Sequence, residues 1–365
     1  MCQNHFSPVR CIIPPYINNR LAASPDKNIA EIAINTKFRS YRFRSDRTFF
    51  KNANDIEKGI LCALPRRAKK TETESAKLEV YDCKTATSLT NAVLLWENDG
   101  TALPADVDAV NVINAGDATW KFYYELFGRN SIDNLGMTIQ QYIHYDRKYD
   151  NAFWDGRRMI YGDGDGEIFG SFTGDIDIIG HELTHGVTQY EANLEYHGQA
   201  GAMNESFSDI FGVLIKQRVL NQDAKTADWL IGENVLLGEQ YALRSMKAPG
   251  TGYKNHPQIG DDPQPATMDE YVDLPDTDQG DWGGVHYNSG ITNFAFYVTA
   301  YNMGGFAWEK AGQIWYSALT DKSLQQNATF NDLKNLTLDI AGELFGENSL
   351  EVKAVEDGWN AAKVK

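Results

Sequence analysis

His181 and His185 stand four residues apart in the run His181-Glu182-Leu183-Thr184-His185, and Glu205 follows twenty residues after the second histidine. Four-residue spacing puts two side chains on one face of a helix, one turn apart. Two imidazoles can then converge on one ion. Glu205 supplies a third, anionic ligand from a second helix that begins after the glycine-rich turn at 198–201. Three protein ligands with one position left for water is the donor set of a hydrolytic zinc site. Glu182 adjoins the first ligand, about 100° around the helix. It reaches the water position without joining the coordination, where a general base belongs. Asp209 lies one turn past Glu205. Alone, the five-residue pattern also fits two surface histidines on an amphipathic helix; the spaced acidic ligand favours a zinc peptidase.

These side chains need rigid elements behind them. The first zinc-binding helix is expected over 175–190, and the Glu205 helix over 201–220. Apolar spacing predicts further helices over 288–303, 306–318, 330–344 and 347–362, with Asn331 or Ser349 as caps. Before residue 175 the signals are those of strands: Leu78–Asp82, Ala92–Trp96, a segment from Met137 to Tyr145, and short runs near 151–156 and 159–161. A helix over 106–127 interrupts them. The expected architecture is α+β with two lobes: a strand-rich lobe over 76–190, a helical lobe over 191–365, and the zinc helix at the seam, where clefts form.

The chain has 365 residues, enough for two domains and a short extra segment. No apolar run approaches about 18 residues, so no membrane span is expected. The opening residues lack the pattern of a secretory signal, so synthesis and retention in the cytoplasm, or export by another route, is expected. Cys2, Cys11, Cys62 and Cys83 show no C-x-x-C spacing. That fits a reduced compartment and no second zinc site.

Residues 1–75 hold fourteen Lys+Arg against seven Asp+Glu, a net charge of +7, and the remainder carries −23 of the total −16. A basic leader on an acidic body suggests that the two attract. Nucleic acid is not an expected partner, because the leader has no long run of like charges and no nucleic-acid motif. Within the leader, a short helix is expected through 26–37, Pro14-Pro15 favours an extended path, and 66–76 reads as an exposed linker.

The motifs NAFWDG (151–156), YGDGDG (161–166), GHELTHGVTQY (180–190), NESFSD (204–209), ALRSM (242–246) and GGVHYNSG (283–290) together resemble the thermolysin family of zinc metallopeptidases over residues 78–365. The resemblance implies zinc on His181, His185 and Glu205, Glu182 as general base, and Asp209 as the acceptor behind His181. It implies that His286, oriented by Asp281, and Tyr196 steady the oxyanion. Taken alone, His286 is as readily a structural histidine and Tyr196 a core aromatic. By the same resemblance, Asn151 and Ala152 pair with substrate backbone and Arg244 binds a carbonyl beyond the cut. Phe169, Phe172, Ile178, Ile231, Val235 and Leu243 line an apolar pocket for the residue after the cut, or serve as plain core. The implied substrates are peptides or proteins, cut before bulky apolar residues.

Two departures stand out. Family members hold paired calcium ions; here Asp177, Asp228 and Glu233 keep acidic positions, but Lys216 and Leu230 replace two others. The paired calcium site is therefore expected to be absent, with one weaker site still open. The short leader with Pro-Pro-Tyr resembles the protealysin branch, which implies an inhibitory propeptide in the active-site cleft, released by cleavage within about 46–76. Cys11 is either a zinc-approaching thiolate or a small buried apolar residue. Two rival functions remain: a zinc protein permanently blocked by its leader, with a regulatory or interaction role, and a zinc hydrolase of non-peptide substrates.

Overall fold

The computed structural model describes residues 10–43 and 75–365. The expected linker and cleavage window up to residue 74, and Cys2 and Cys62, lie outside the described residues; Ala76, at the end of the expected exposed linker, is instead buried in the core. The first lobe is built on a six-stranded sheet in the order β1-β5-β6-β4-β2-β3. Its strands are β1 (Arg10–Cys11), β2 (Leu78–Asp82), β3 (Val93–Glu97), β4 (Ile139–Ile143), β5 (Ala152–Trp154) and β6 (Met159–Tyr161). β2–β4 and β4–β6 pair in parallel, and the remaining neighbours pair antiparallel. The inner strands β5 and β6 are buried at every residue. That absence of alternation follows from cover on both faces. One face joins the main core, and the other packs in a small cluster of Cys11, Cys83, Tyr142, Tyr145, Tyr149, Phe153 and Ile160.

Helices dominate the second lobe as the apolar spacing predicts. α3 (Val107–Phe127) lies beside the sheet and α4 (Ile176–Tyr190) at the seam; the second lobe holds α5 (Gly198–Leu220), α6 (Asp281–Met303), α7 (Ala311–Thr320), α8 (Phe330–Phe345) and α9 (Leu350–Ala361). A two-stranded ribbon, β7 (Leu230–Ile231) and β8 (Arg244–Ser245), runs between them. The leader contributes β1, α1 (Pro15–Ala22) and α2 over 27–43.

Several expected boundaries shift. α5 starts at Gly198 and α7 only at Ala311, and α6 opens with a left-handed turn over 281–284 before its regular helix. The cap of α8 is Thr329 rather than Asn331, in a capping box with Asp332, whereas Ser349 does cap α9. Pro14 keeps the extended path expected of it, but Pro15 opens α1. A proline at the first helical position loses no hydrogen bond and has its φ preset. Among the described residues, no helix is long and apolar enough to cross a membrane.

Candidate active site

α4 and α5 carry the expected metal ligands, and their closeness is written in a glycine. A Cβ on Gly212 would lie 2.4 Å from the carbonyl oxygen of Asp177 and 3.0 Å from the amide of His181. Any larger residue there would push α5 off the helix that holds both histidines. With the helices in contact, the ligating atoms of His181, His185 and Glu205 lie within 4.8 Å of one another. The two histidine rings stand 4.6 Å apart at 87°.

The outer nitrogens are fixed from behind. His181 Nδ1 donates to Asp209 Oδ1 at 2.8 Å. His185 Nδ1 is 2.9 Å from both Asn204 Oδ1 and Ser208 Oγ. Asn204 and Ser208 were not anticipated, although the motif NESFSD contains them. They stand one turn apart, as do Glu205 and Asp209, so one stretch of α5 holds both a ligand and the groups that fix the histidines. Arg244 and Asn293 in turn donate to Asp209, the first through Nη2 at 2.9 Å and the second at 2.8 Å.

The inner atoms tell the other half. His181 Nε2, His185 Nε2 and Glu205 Oε2 are buried and make no hydrogen bond. Orphaned buried polar atoms are costly, and three of them converging on one point fit a bound cation. Two imidazoles and a carboxylate, with the outer nitrogens held, fit zinc. Burial works against charge on Glu205, but His286, His185 and His181 outweigh it and hold its carboxyl well below the usual range.

Glu182 is fully buried on the same helix. Its Oε2 accepts the Trp154 amide at 3.0 Å, and its Oε1 has no partner. Burial raises its pKa to about 8, with His181 pulling the other way. Across the cleft, His286 Nδ1 lies 2.6 Å from Asp281 Oδ1, and Asp281 Oδ2 accepts the His286 amide at 2.7 Å. Burial disfavours charge on His286, but Asp281 and Glu205 prevail and raise its pKa. The hydroxyl of Tyr196 bonds Glu205 and lies 3.3 Å from His286 Nε2. The six apolar residues Phe169, Phe172, Ile178, Ile231, Val235 and Leu243 are all buried within the main core cluster, which also holds Ile12 of the leader.

The leader itself runs through this site. β1 pairs antiparallel with β5, Arg10 opposite Trp154 and Cys11 opposite Phe153. The Ile12 amide donates to the Ala152 carbonyl at 3.2 Å, and the Ile13 amide to Asn151 Oδ1 at 3.2 Å. Arg244 Nη1 donates to the Ile12 carbonyl at 3.2 Å, and His286 Nε2 is 3.1 Å from the Cys11 carbonyl oxygen. Both ring nitrogens of His286 thus face acceptors, as suits the doubly protonated ring. The Cys11 side chain is buried in the small aromatic cluster, with Sγ 3.7 Å from the Ile13 carbonyl.

Comparison with known proteins agrees with this geometry. The profile of the thermolysin metallopeptidase catalytic domain matches residues 51–189, and that of the thermolysin metallopeptidase alpha-helical domain matches 192–364. The chain belongs to the thermolysin metallopeptidase family. An extracellular metalloprotease of Pectobacterium carotovorum subsp. carotovorum is 37% identical over 98% of this chain and 97% of its own. Protease PrtS of Photorhabdus sp. (strain Az29) is 44% identical over 78% of this chain and 76% of its own. The solved precursor of protealysin, a metalloproteinase from Serratia proteamaculans, superposes with a TM-score of 0.84 at 39% identity, over 98% of this chain and 100% of that one. The chain is thus a zinc-dependent peptidase of the protealysin branch in precursor form, with the two-lobed α+β fold expected.

Proposed function

We propose that this is the latent precursor of a neutral endopeptidase that cuts before bulky apolar residues, with residues 1–75 as its inhibitory propeptide. The carrying observation is the grip on residues 11–13 through the amides of Ile12 and Ile13 and the carbonyls of Cys11 and Ile12. A site that grips a peptide backbone is built for extended peptide, which weighs against a non-peptide substrate.

Zinc held by His181, His185 and Glu205 supplies polarisation of the scissile carbonyl and acidifies water. The chain does the rest. Trp154 fixes one oxygen of Glu182, leaving Oε1 to take a proton from water and pass it to the leaving nitrogen. His286, held by Asp281, donates to the oxygen on which charge develops, and Tyr196 is the second donor. One such donor is worth roughly 2.7–4 kcal/mol. Ala152 and Asn151 align the substrate strand, and Arg244 takes the carbonyl after the cut. Phe169, Phe172, Ile178, Ile231, Val235 and Leu243 receive the side chain after the cut.

At the expected calcium position, Lys216 Nζ lies 3.3 Å from Asp177 Oδ2, 3.2 Å from Asp228 Oδ1 and 3.1 Å from the Leu230 carbonyl. An ammonium in that place neutralises the carboxylates that would hold the ions, which supports the absence of a paired calcium site. The extracellular metalloprotease of Pectobacterium fits export of this chain after its synthesis.

The test is hydrolysis of matched reporter peptides by the zinc-loaded chain after limited proteolysis of its leader, beside an ester control. Leu or Phe after the cut is expected to outrun Asp, and chelation to stop the reaction. Glu182→Ala is expected to lower kcat by roughly 10²–10⁴-fold. Equal rates for the peptide pair would remove the proposed preference. No hydrolysis after complete removal of the leader would favour a regulatory zinc protein instead.

A further inference from the structure

The leader contacts fix a register as well as a place. In the roles proposed above, His286 donates to the carbonyl under attack and Arg244 to the carbonyl one residue further on. Those two carbonyls belong to Cys11 and Ile12. The Cys11–Ile12 bond therefore stands at the cleavage position, with the chain running in the direction of a substrate. Strand alternation agrees. Ile12 joins the core cluster that contains Phe172, Ile178 and Leu243, whereas Cys11 faces the opposite cluster with Tyr149 and Phe153. Arg10 returns to the zinc side, its Nη1 2.8 Å from the His185 carbonyl. A bulky apolar residue fills the place after the bond, as the proposed preference requires.

We propose that the Cys11–Ile12 peptide bond is itself a substrate of this site, and that its hydrolysis strips the leader of β1 and of the carbonyl that His286 holds. This rests on the roles assigned under the proposed function. Water adds its oxygen to the Cys11 carbonyl carbon, and Glu182 carries the proton to the Ile12 nitrogen. The C–N bond breaks, leaving a carboxylate on Cys11 and an amine on Ile12. No other reactant is needed.

Two features make the bond slow to cut while the leader is docked. His286 Nε2 is 3.1 Å from the Cys11 carbonyl oxygen, whereas the Tyr196 hydroxyl is engaged with Glu205 and His286. Beyond the bond, Ile13, Tyr16, Ile17 and Leu21 are buried, so a newly formed Ile12 amine stays beside the Cys11 carboxylate. Ends held in reacting geometry rejoin readily. A leader that has left the cleft has no such restraint and is cut as an ordinary substrate.

The full chain, loaded with zinc, is incubated for hours. All fragments are read by mass spectrometry while a reporter peptide is followed in the same tube. Fragments ending at Cys11 and beginning at Ile12 are expected as reporter hydrolysis rises. The Glu182→Ala chain yields none alone and yields them when mixed with active wild type. A synthetic peptide of residues 6–18, which needs no folding, is expected to be cut at the same bond. Ile12→Asp in that peptide slows the cut at least about tenfold, and Ile12→Leu preserves it. Hydrolysis of the reporter, with every leader fragment and the synthetic peptide still joined between 11 and 12, overturns the proposal. Failure on both reporter and peptide after the leader is removed overturns the peptidase reading beneath it.

Discussion

In the reading proposed above, Lys216 takes the place of a metal among carboxylates. It reaches Asp177, which is 1% exposed, along with Asp228 and Glu233. Burial raises the Asp177 pKa to about 7 although Lys216 opposes it, so the ammonium offsets part of the cost of charging a buried carboxylate. Removing one partner of a buried pair costs about 3–5 kcal/mol, because the other charge is left uncompensated. Lys216→Ala, made in the Glu182→Ala background to prevent self-digestion, is expected to lower Tm, and calcium is expected to leave the parent's Tm unchanged. Lys216→Glu is expected to make Tm rise with calcium; a calcium-dependent rise in the parent would refute the substitution. The lysine was legible because an oddly charged residue stood among matched acidic positions. Asn204 and Ser208 were not, because nothing in an amide or hydroxyl on a helix says that it will meet the ring of His185.

At the scale of elements, periodic segments were the legible ones. α4 and α9 fall within a residue or so, or a few, of their expected ends, because apolar spacing and caps act within the segment. β1 was not foreseen: two residues carry no period, and the strand exists only through its pairing with β5. His144 gives a further device that no local pattern reveals. It follows β4 with φ 52°, and its ring joins Asp163 Oδ1 at 2.7 Å to Asp106 Oδ2 at 3.1 Å. Asp106 also caps α3 through the Ala109 amide. One imidazolium therefore ties the end of β4, the start of α3 and the loop after β6. The Asp163 hydrogen bond is the main cause that raises the His144 pKa to about 9, against partial burial and with help from Asp106. The folded value lies above the unfolded one, so the contribution is full below about pH 6.5. It is lost as pH rises through about 9. Comparing urea stability of the parent and His144→Gln across pH is expected to show a gap of about 1–2 kcal/mol at pH 6, discounted for partial exposure, that closes by about pH 10. A gap independent of pH would mean that packing, not charge, is what His144 contributes.

For the molecule as a whole, the question is what holds the leader on the body. The charge asymmetry of +7 against −23 suggests attraction, and Arg39 does meet Asp146 at 2.9 Å. That pair is partly exposed, and such pairs contribute about 0–1 kcal/mol and weaken with salt. Ile12, Ile13, Ile17 and Leu21 are each 1% exposed or less. Fully burying one such side chain contributes about 1.5–3 kcal/mol, an upper value because part of that burial is within the leader. Apolar seating outweighs the ion pair by this reckoning, with charge left to speed encounter rather than to hold the complex. Raising salt to about 0.5 M is therefore expected to change the lag before reporter hydrolysis by less than about threefold, since the Debye length is then only about 4 Å. Ile17→Ala removes a buried side chain worth about 2–5 kcal/mol. It is expected to shorten the lag far more, while circular dichroism and the final hydrolysis rate stay at wild-type values. Ile17 lies on α1 and makes none of the backbone contacts at the scissile position, so an unchanged final rate separates loss of docking from damage to catalysis. The opposite pattern, a lag collapsing with salt but indifferent to Ile17→Ala, would assign the hold to charge and turn the ledger around.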